Sequence, residues 1–172
     1  MTGKFVLAMA FALAITGASA KEEKLNDAQI AHIAYTAGEI DINAAKLALA
    51  KTHDMMVRDF ANEMVRDHTA VNDKALALVK KLGVTPEDNP VSKSLTEAAD
   101  KKKTELDKLN GAAFDKAYIE NEVAYHKTVN GALSKTLIPD AKNPELKQLL
   151  ESGLKLFEEH QHHAEMLEAH EH

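Results

Sequence analysis

Three histidines occupy positions in apolar helical stripes where leucine is the usual residue. His68 interrupts the stripe within residues 57–82, and His126 and His160 interrupt two later stripes in the same way. A side chain in such a stripe is expected to face the protein core. Imidazole nitrogens are common ligands of first-row transition metals. The three histidines therefore predict a buried metal site assembled from three helices.

Acidic residues and a further histidine share the faces that carry these histidines. Glu122 and His126 are four residues apart, which places their side chains on one side of a helix. Asp115 lies on the same face, and His163 lies at the edge of the face that carries His160. Buried charges are costly unless they are paired, hydrogen-bonded or bound to a metal. The same residues could therefore also form a hydrogen-bonded network without metal.

The elements that must position these side chains are helices, because no stretch alternates as a strand does. Five segments are predicted, at about 27–51, 55–82, 95–109, 112–137 and 144–168. The third segment is rich in lysine and poor in large apolar residues, so it is expected to cover the others. The predicted fold is all-α: a ferritin-like four-helix bundle with an additional helical crossover segment before the fourth segment. A plain bundle with an extra surface helix is the alternative.

Capping residues support these boundaries. Asn26, Asp54 and Asn143 are predicted N-caps, and Ser94 with Glu97 has the spacing of a capping box. In the crossover topology His68 and His126 lie about 14 residues from the same end of the bundle, at about 1.5 Å per residue. His160 falls near the middle of the last helix. The three imidazoles are therefore expected at one level.

The first twenty residues have the layout of a secretory signal peptide. Lys4 precedes an apolar stretch over residues 5–15, and Ala18 to Ala20 form a small-x-small cleavage site. Residues 21–172 are then expected to form a single helical-bundle domain with a histidine-rich C-terminal end. No second apolar span is present, so the exported domain is predicted to lie in the periplasm without a transmembrane segment. Peripheral association with the envelope remains open.

Composition excludes several classes of function. The chain has no cysteine and a formal net charge of −6. Disulfides, thiolate metal sites and a catalytic cysteine are therefore excluded, and an acidic domain with few aromatic residues is a poor nucleic-acid binder. No nucleophile elbow, phosphate loop or Ser-His-Asp pattern is present, and no catalytic residue is predicted.

Three longer runs resemble a known family. They are "GEIDINAAKLALAK…VRDFANEMVRDHTAVN", "GAAFDKAYIENEVAYHKTVN" and "LFEEHQHHAEML". They are similar to the bacterial domain of unknown function 4142, whose members are exported, often labelled outer membrane proteins, and grouped with ferritin-like bundles. The resemblance covers nearly the whole chain after the leader. It implies functional positions at Glu39, Asp67, His68, Asp115, His126 and His160.

Two features of the sequence bear on the predicted ligands: the choice of acidic residue in the first helix, and the absence of a Glu-x-x-His motif. Glu39 lies off the main apolar stripe of the first helix, whereas Asp41 lies closer to it. Classical di-iron bundles carry Glu-x-x-His on two helices. Val65 and Phe157 occupy the positions three residues before His68 and His160. The usual di-iron ferroxidase centre is therefore not expected.

The leading hypothesis is a periplasmic protein that binds a divalent transition metal (iron, manganese, zinc, copper or nickel) for storage, buffering or stress protection. The predicted ligands are His68, Glu122, His126, His160, Glu39, Asp115 and His163. A metal-free structural or interaction protein of the envelope is the alternative, and a metal-dependent redox enzyme is the third hypothesis. Within the C-terminal cluster, His162, His170 and His172 are expected to face solvent.

Overall fold

The computed structural model describes residues 24–170, so the predicted leader and His172 lie outside the described residues. The helices are α1 (Asp27–Lys51), α2 (Met55–Leu82), α3 (Pro90–Asp107), α4 (Gly111–Ala132), the short α5 (Ile138–Asp140) and α6 (Pro144–His170). A π-helical turn, Leu133–Leu137, joins α4 to α5. The predicted bounds of α1 and α2 agree with these. None of the described helices is long and apolar enough to cross a bilayer.

Local capping chemistry sets most of the helix ends. The Asn26 side chain accepts a hydrogen bond from the Gln29 amide, and Asp54 accepts from Met56 and Val57. Gly83 ends α2 at φ 65°, a left-handed conformation that favours glycine. The Asn143 side chain accepts hydrogen bonds from the first free amides of α6.

The predicted start of the third helix, at about residue 95, is wrong by about five residues. α3 begins at Pro90, because Asn89 and Ser92 form the capping box and proline is well suited to the first helical position. Ser94 and Glu97 therefore lie inside the helix. The helix predicted at 112–137 is also not uniformly α-helical. It changes to the π turn at Leu133 and then reaches Pro139, which has no amide hydrogen to donate.

Contacts at the two ends of the bundle establish the crossover. At one end Nδ2 of Asn26, the N-cap of α1, donates a hydrogen bond of 3.4 Å to Oε2 of Glu87, just before α3. At the other end Lys51 donates to the carbonyls of Leu106 and Asp107, and its ammonium lies 5.2 Å from the Phe114 ring. α3 therefore runs parallel to α1 and returns the chain, so that α4 starts where α2 starts. The predicted all-α bundle with a helical crossover is confirmed.

A layer of polar side chains divides the core into two apolar parts. Phe60, Met64 and Tyr118 belong to the part near the α1–α2 connection. Ile30 and Leu150 belong to the part near the start of α1. The fully buried polar side chains of α1, α2, α4 and α6 lie between the two parts. The fold thus brings four helices together around one polar layer in the middle of the bundle.

Candidate metal centre

The polar layer consists of residues from all four long core helices. Its members are Asp41 of α1, His68 of α2, Glu122 and His126 of α4, and His160 of α6. Each is no more than 3% exposed. Polar side chains this deeply buried are costly unless their hydrogen-bonding groups have partners. The partners of each atom therefore decide what the layer can do.

The three imidazoles pack around one point. Ring centroids lie 5.7 Å apart for His68 and His126, 5.3 Å for His68 and His160, and 5.6 Å for His126 and His160. One nitrogen from each ring lies within 4.8 Å of the other two. Phe157 stacks on His68 at 4.5 Å with an interplanar angle of 8°. This phenylalanine restrains the His68 ring and leaves its edge toward the other histidines.

A carboxyl group bridges two of these rings. Asp41 Oδ2 lies 3.4 Å from His68 Nε2 and 3.4 Å from His126 Nε2. Glu122 Oε2 lies 3.7 Å from His126 Nδ1. Two ligand atoms on a tetrahedral zinc ion, each about 2.0–2.1 Å from the metal, are separated by about 3.3 Å. The spacing of Asp41 from either imidazole thus already matches the spacing within a metal coordination sphere.

The backbone selects the tautomer of His126. Its Nδ1 lies 3.0 Å from the carbonyl oxygen of Glu122, one turn earlier in α4. A carbonyl can only accept, so Nδ1 carries the hydrogen and donates it. In the neutral ring Nε2 then keeps a free lone pair. That lone pair is directed to Asp41 and is available to a metal.

A carboxylate near the surface selects the tautomer of His160. Asp67 Oδ2 lies 3.0 Å from His160 Nε2, and Arg66 holds both Asp67 oxygens at 2.6 and 2.9 Å. The Arg66 hydrogen bonds lower the pKa of Asp67, so Asp67 is ionised and accepts the His160 hydrogen. His160 Nδ1, which is fully buried, is then the nitrogen with the free lone pair.

Several buried atoms of the layer have no hydrogen-bond partner among the described residues. They are both oxygens of Asp41, both nitrogens of His68, Nε2 of His126, Nδ1 of His160 and Oε2 of Glu122. Native proteins pair the large majority of such atoms. Unpartnered atoms on five neighbouring residues therefore indicate a common partner rather than five separate defects.

Burial keeps the layer neutral in the absence of a cation. It raises the pKa of Asp41 to about 8 and lowers the pKa of His126 to about 4. Burial, reinforced by Asp41, raises the pKa of Glu122 well above its usual range. Burial also lowers the pKa of His68 well below its usual value, and that of His160. The Asp41–histidine contacts at pH 7 thus join neutral groups, not ion pairs.

Asp41, Glu122 and His126 form a second group of clustered ligand atoms within the layer. A third group lies toward the surface and shares His160 with the histidine group. Glu63, Asp67 and His160 offer atoms that are all within 4.8 Å of one another. His163 Nδ1 lies 2.7 Å from Glu63 Oε2, and the His163 ring packs edge-on against Phe60. The predicted ligand His163 therefore lies outside the polar layer, half-buried, and next to this outer group.

Two other predicted ligands lie apart from the clustered groups. Glu39 is half-buried, and its Oε1 accepts a hydrogen bond of 3.0 Å from Asn72 Nδ2. Asp115 is buried two helical turns before Glu122 in α4 and has one oxygen without a partner. Neither belongs to any of the three groups of clustered ligand atoms found among the described residues. Of the seven predicted ligands, His68, His126 and His160 lie in one group, and Glu122 joins Asp41 and His126 in another.

Asp41 is the residue of the layer that was not among the predicted ligands. The sequence feature that could have identified Asp41 is its position near the apolar stripe of α1. The close approach of α2 to α1 explains the geometry: a Cβ on Gly38 would lie 2.3 Å from Asn72 Oδ1. Glycine at this position lets Asn72 of α2 pack directly on the α1 backbone, one turn from Asp41. Asn72 also donates to the Tyr35 carbonyl at 3.3 Å.

Comparisons with known proteins agree with this fold. A crystal structure of a DUF305 protein from Streptomyces coelicolor matches with a TM-score of 0.71 over 83% of this chain and 91% of that chain. The sequence identity is 11%, so the likeness concerns the fold alone. No curated protein matches the chain. The domain of unknown function DUF4142 matches residues 12–167. With most of its length matched, including every helix that contributes to the polar layer, the chain belongs to the DUF4142 family.

Proposed function

We propose that this protein binds one divalent transition-metal ion in its polar layer. His68, His126 and His160 supply the nitrogen ligands, and Asp41 and Glu122 supply carboxylate oxygens. Glu39, Asp115 and His163 lie outside the clustered ligand atoms of this centre. Storage, buffering or protection from metal stress are the roles that a site built from such deeply buried ligands would serve.

The supporting observation is the set of unpartnered lone pairs in the layer. Hydrogen bonds to Glu122 and Asp67 leave one free nitrogen each on His126 and His160. Neither nitrogen of His68 has a partner among the described residues. A single cation can accept one lone pair from each of the three rings, whereas a hydrogen-bond donor on a neighbouring side chain can satisfy only one of them.

Charge balance also favours a divalent ion. Asp41 and Glu122 are protonated in the metal-free layer, and each must release its proton to act as an anionic ligand. Two carboxylates and three neutral imidazoles then neutralise a charge of +2 inside the bundle. Imidazole and carboxylate ligands suit iron, manganese, zinc, copper and nickel.

Elemental analysis of protein purified without an affinity tag tests the metal site. The wild type, reconstituted separately with the five metals, should retain one ion per chain after desalting. His68→Ala and His126→Ala should lose it, whereas His162→Ala, at an exposed position on α6, should retain it. Circular dichroism identifies any variant that has lost its fold. A folded wild type that retains none of the five metals in stoichiometric amount would rule the proposal out.

A metal-free structural or interaction protein of the cell envelope is the second candidate. Arg66 and His160 both hydrogen-bond to Asp67, and these hydrogen bonds need no ion. On this side of the layer the structure therefore favours the metal-free alternative. Thermal unfolding separates the two functions, because a ligand that binds only the folded state raises the melting temperature. A melting temperature that neither a chelator nor the five metals change would favour the structural role.

Export to the periplasm is part of the same proposal, and it rests on the signal-peptide features of residues 1–20. Expression with cell fractionation and N-terminal sequencing tests it. Recovery from the periplasmic fraction with a new N-terminus at Lys21 is the expected result. An intact N-terminus in the cytoplasmic fraction would contradict it.

A further inference from the structure

A cavity of about 400 Å³ extends from the polar layer toward the α1 start of the bundle. Its walls come from all four core helices, the π turn and two residues of α3. Cavities of roughly 300–1,000 Å³ are typical of sites for small organic ligands. The cavity is therefore large enough for a ligand of its own, in addition to any ion in the polar layer.

The lining of the cavity is apolar along most of its length and polar at its inner end. Ile33, Val71, Leu133 and Leu150 are typical of the walls. Asp41, His68 and His126 line the inner end, and all three have polar atoms without a partner. A ligand that fits this distribution has an apolar body and a single polar head.

The cavity is elongated along the bundle. On α1 the lining residues extend from Ala31 to Asp41, which is about 15 Å at 1.5 Å per residue. Its exposed lining residues include Ala132, Lys135 and Thr136, so the cavity opens beside the π turn. Single π-helical turns occur frequently at functional sites. This shape admits one hydrocarbon chain that enters from the π turn.

The chemistry of the inner end selects the head group. Lys135, at the exposed end, is the only Lys or Arg among the lining residues that the structure describes. A carboxylate or phosphate head would therefore be buried beside the Asp41 carboxyl without a cation, which is unfavourable. A hydroxyl can donate to an imidazole nitrogen and accept from a neighbouring N–H or carboxyl group.

We propose that the cavity binds a single-chain amphiphile with a neutral hydroxyl head, and that the head lies against Asp41, His68 and His126. The binding goes beyond the proposed metal function and does not require an ion. Because the two sites share residues only at the inner end of the cavity, substitutions at the far walls affect the amphiphile and not the metal.

Titration calorimetry of the purified, metal-free protein with 1-decanol tests the proposal, with decanoate as the charged analogue of equal chain length. Saturable binding of 1-decanol at one site is expected, with decanoate at least about tenfold weaker because its charged head must be desolvated. Equal or tighter binding of decanoate would place the head elsewhere and overturn the proposal. So would the absence of saturable 1-decanol binding.

Two variants close the cavity from different walls. Gly131 lines the cavity, and a Cβ there meets nothing within 4 Å, so Gly131→Leu places a side chain in open space. Ala75→Phe does so from α2. Both should abolish 1-decanol binding and leave metal stoichiometry unchanged. Ala124→Leu, at an exposed position of α4 outside the cavity, is the matched control and should bind like the wild type.

The variants also locate the ligand and separate this proposal from the metal function. If both cavity variants fold and still bind 1-decanol like the wild type, the amphiphile lies elsewhere and the proposal fails. If size-exclusion chromatography shows that they convert a dimer to a monomer and the wild type binds no 1-decanol, a second copy covers the cavity instead. Loss of metal from the wild type would end the metal proposal alone, since calorimetry uses the metal-free protein.

Discussion

Asp41 on α1 and His126 on α4 meet in the middle of the bundle, with Oδ2 of the one 3.4 Å from Nε2 of the other. The two residues are 85 positions apart in the sequence, and both are at most 1% exposed. His68 approaches the same oxygen at the same distance. One carboxyl oxygen thus lies between two imidazole nitrogens, and the protonation of that carboxyl group controls whether a cation can bind there.

Metal affinity should therefore depend on pH through Asp41. Because its pKa is raised to about 8, the carboxyl must release a proton when it binds the ion at pH 7. The apparent affinity should rise about tenfold per pH unit for each proton released, up to about pH 8. Competition titration against a chromophoric chelator at pH 6, 7 and 8 measures this. Asp41→Asn should bind more weakly and show a smaller slope; an unchanged slope would exclude Asp41 as a ligand.

The stability of the metal-free protein should decrease between about pH 6.5 and 8. In this range folded Asp41 keeps a proton that the unfolded chain has lost, since its pKa rises from 3.8 to about 8. The folded state then binds more protons, and the free energy of unfolding falls as pH rises. Glu122, whose pKa is also raised, acts in the same direction.

Histidine adds the opposite dependence at lower pH. The pKa of His126 falls from 6.5 to about 4 on folding, so between these values the unfolded chain binds the additional proton and stability rises with pH. Urea unfolding in the presence of a chelator at pH 5 to 8.5 measures both effects. A free energy of unfolding that increases from pH 6.5 to 8 would contradict a neutral polar layer.

Asp67 should support the site without contacting the ion. Its hydrogen bond holds the His160 ring so that Nδ1 faces the interior. Loss of such a partner typically lowers metal affinity about 10- to 100-fold. Asp67→Asn should show this loss in chelator competition with its stoichiometry kept, whereas Asp73→Asn, at an exposed position of α2, should bind like the wild type. Equal affinities of the two variants would remove Asp67 from the site.

The C-terminal histidines should not contribute to tight binding. His162 and His170 are exposed, whereas His160 is 1% exposed within the layer. Removal of residues 170–172 should leave one ion per chain, and His160→Ala should lose it, as measured by elemental analysis after desalting. A truncated protein without tight metal binding would assign the metal to the tail.

Gly38→Ala should destabilise the bundle. Its new Cβ would lie 2.3 Å from Asn72 Oδ1, so α1 and α2 must separate or Asn72 must give up its hydrogen bonds. Overpacking of this kind costs about 1–3 kcal/mol. Gly131→Ala is the control, because its Cβ meets nothing within 4 Å and alanine is favoured over glycine in helices by about 1 kcal/mol. Urea unfolding should therefore show opposite signs for the two substitutions.

The helices and the histidines of the polar layer could be predicted from the amino-acid sequence. Caps such as Asn26 and Asp54 act on the next few amides, so helix boundaries are encoded locally. A histidine in an apolar stripe faces the core for the same local reason. The start of α3 differs from the prediction because two capping-box sequences lie within a few residues of each other. The helix begins after Asn89, which is followed by Pro90, and not after Ser94.

Which acidic residue of α1 joins the layer depends on how the helices pack against one another. Glu39 and Asp41 are two positions apart, so at 3.6 residues per turn they point about 200° apart. The rotation of α1 is set by its packing against α2, where Asn72 contacts Gly38, and that packing turns Asp41 inward and leaves Glu39 on Asn72. The cavity likewise depends on the spacing between helices and on the π turn. Side-chain periodicity predicts neither the spacing between helices nor the π turn, because it describes one regular helix at a time.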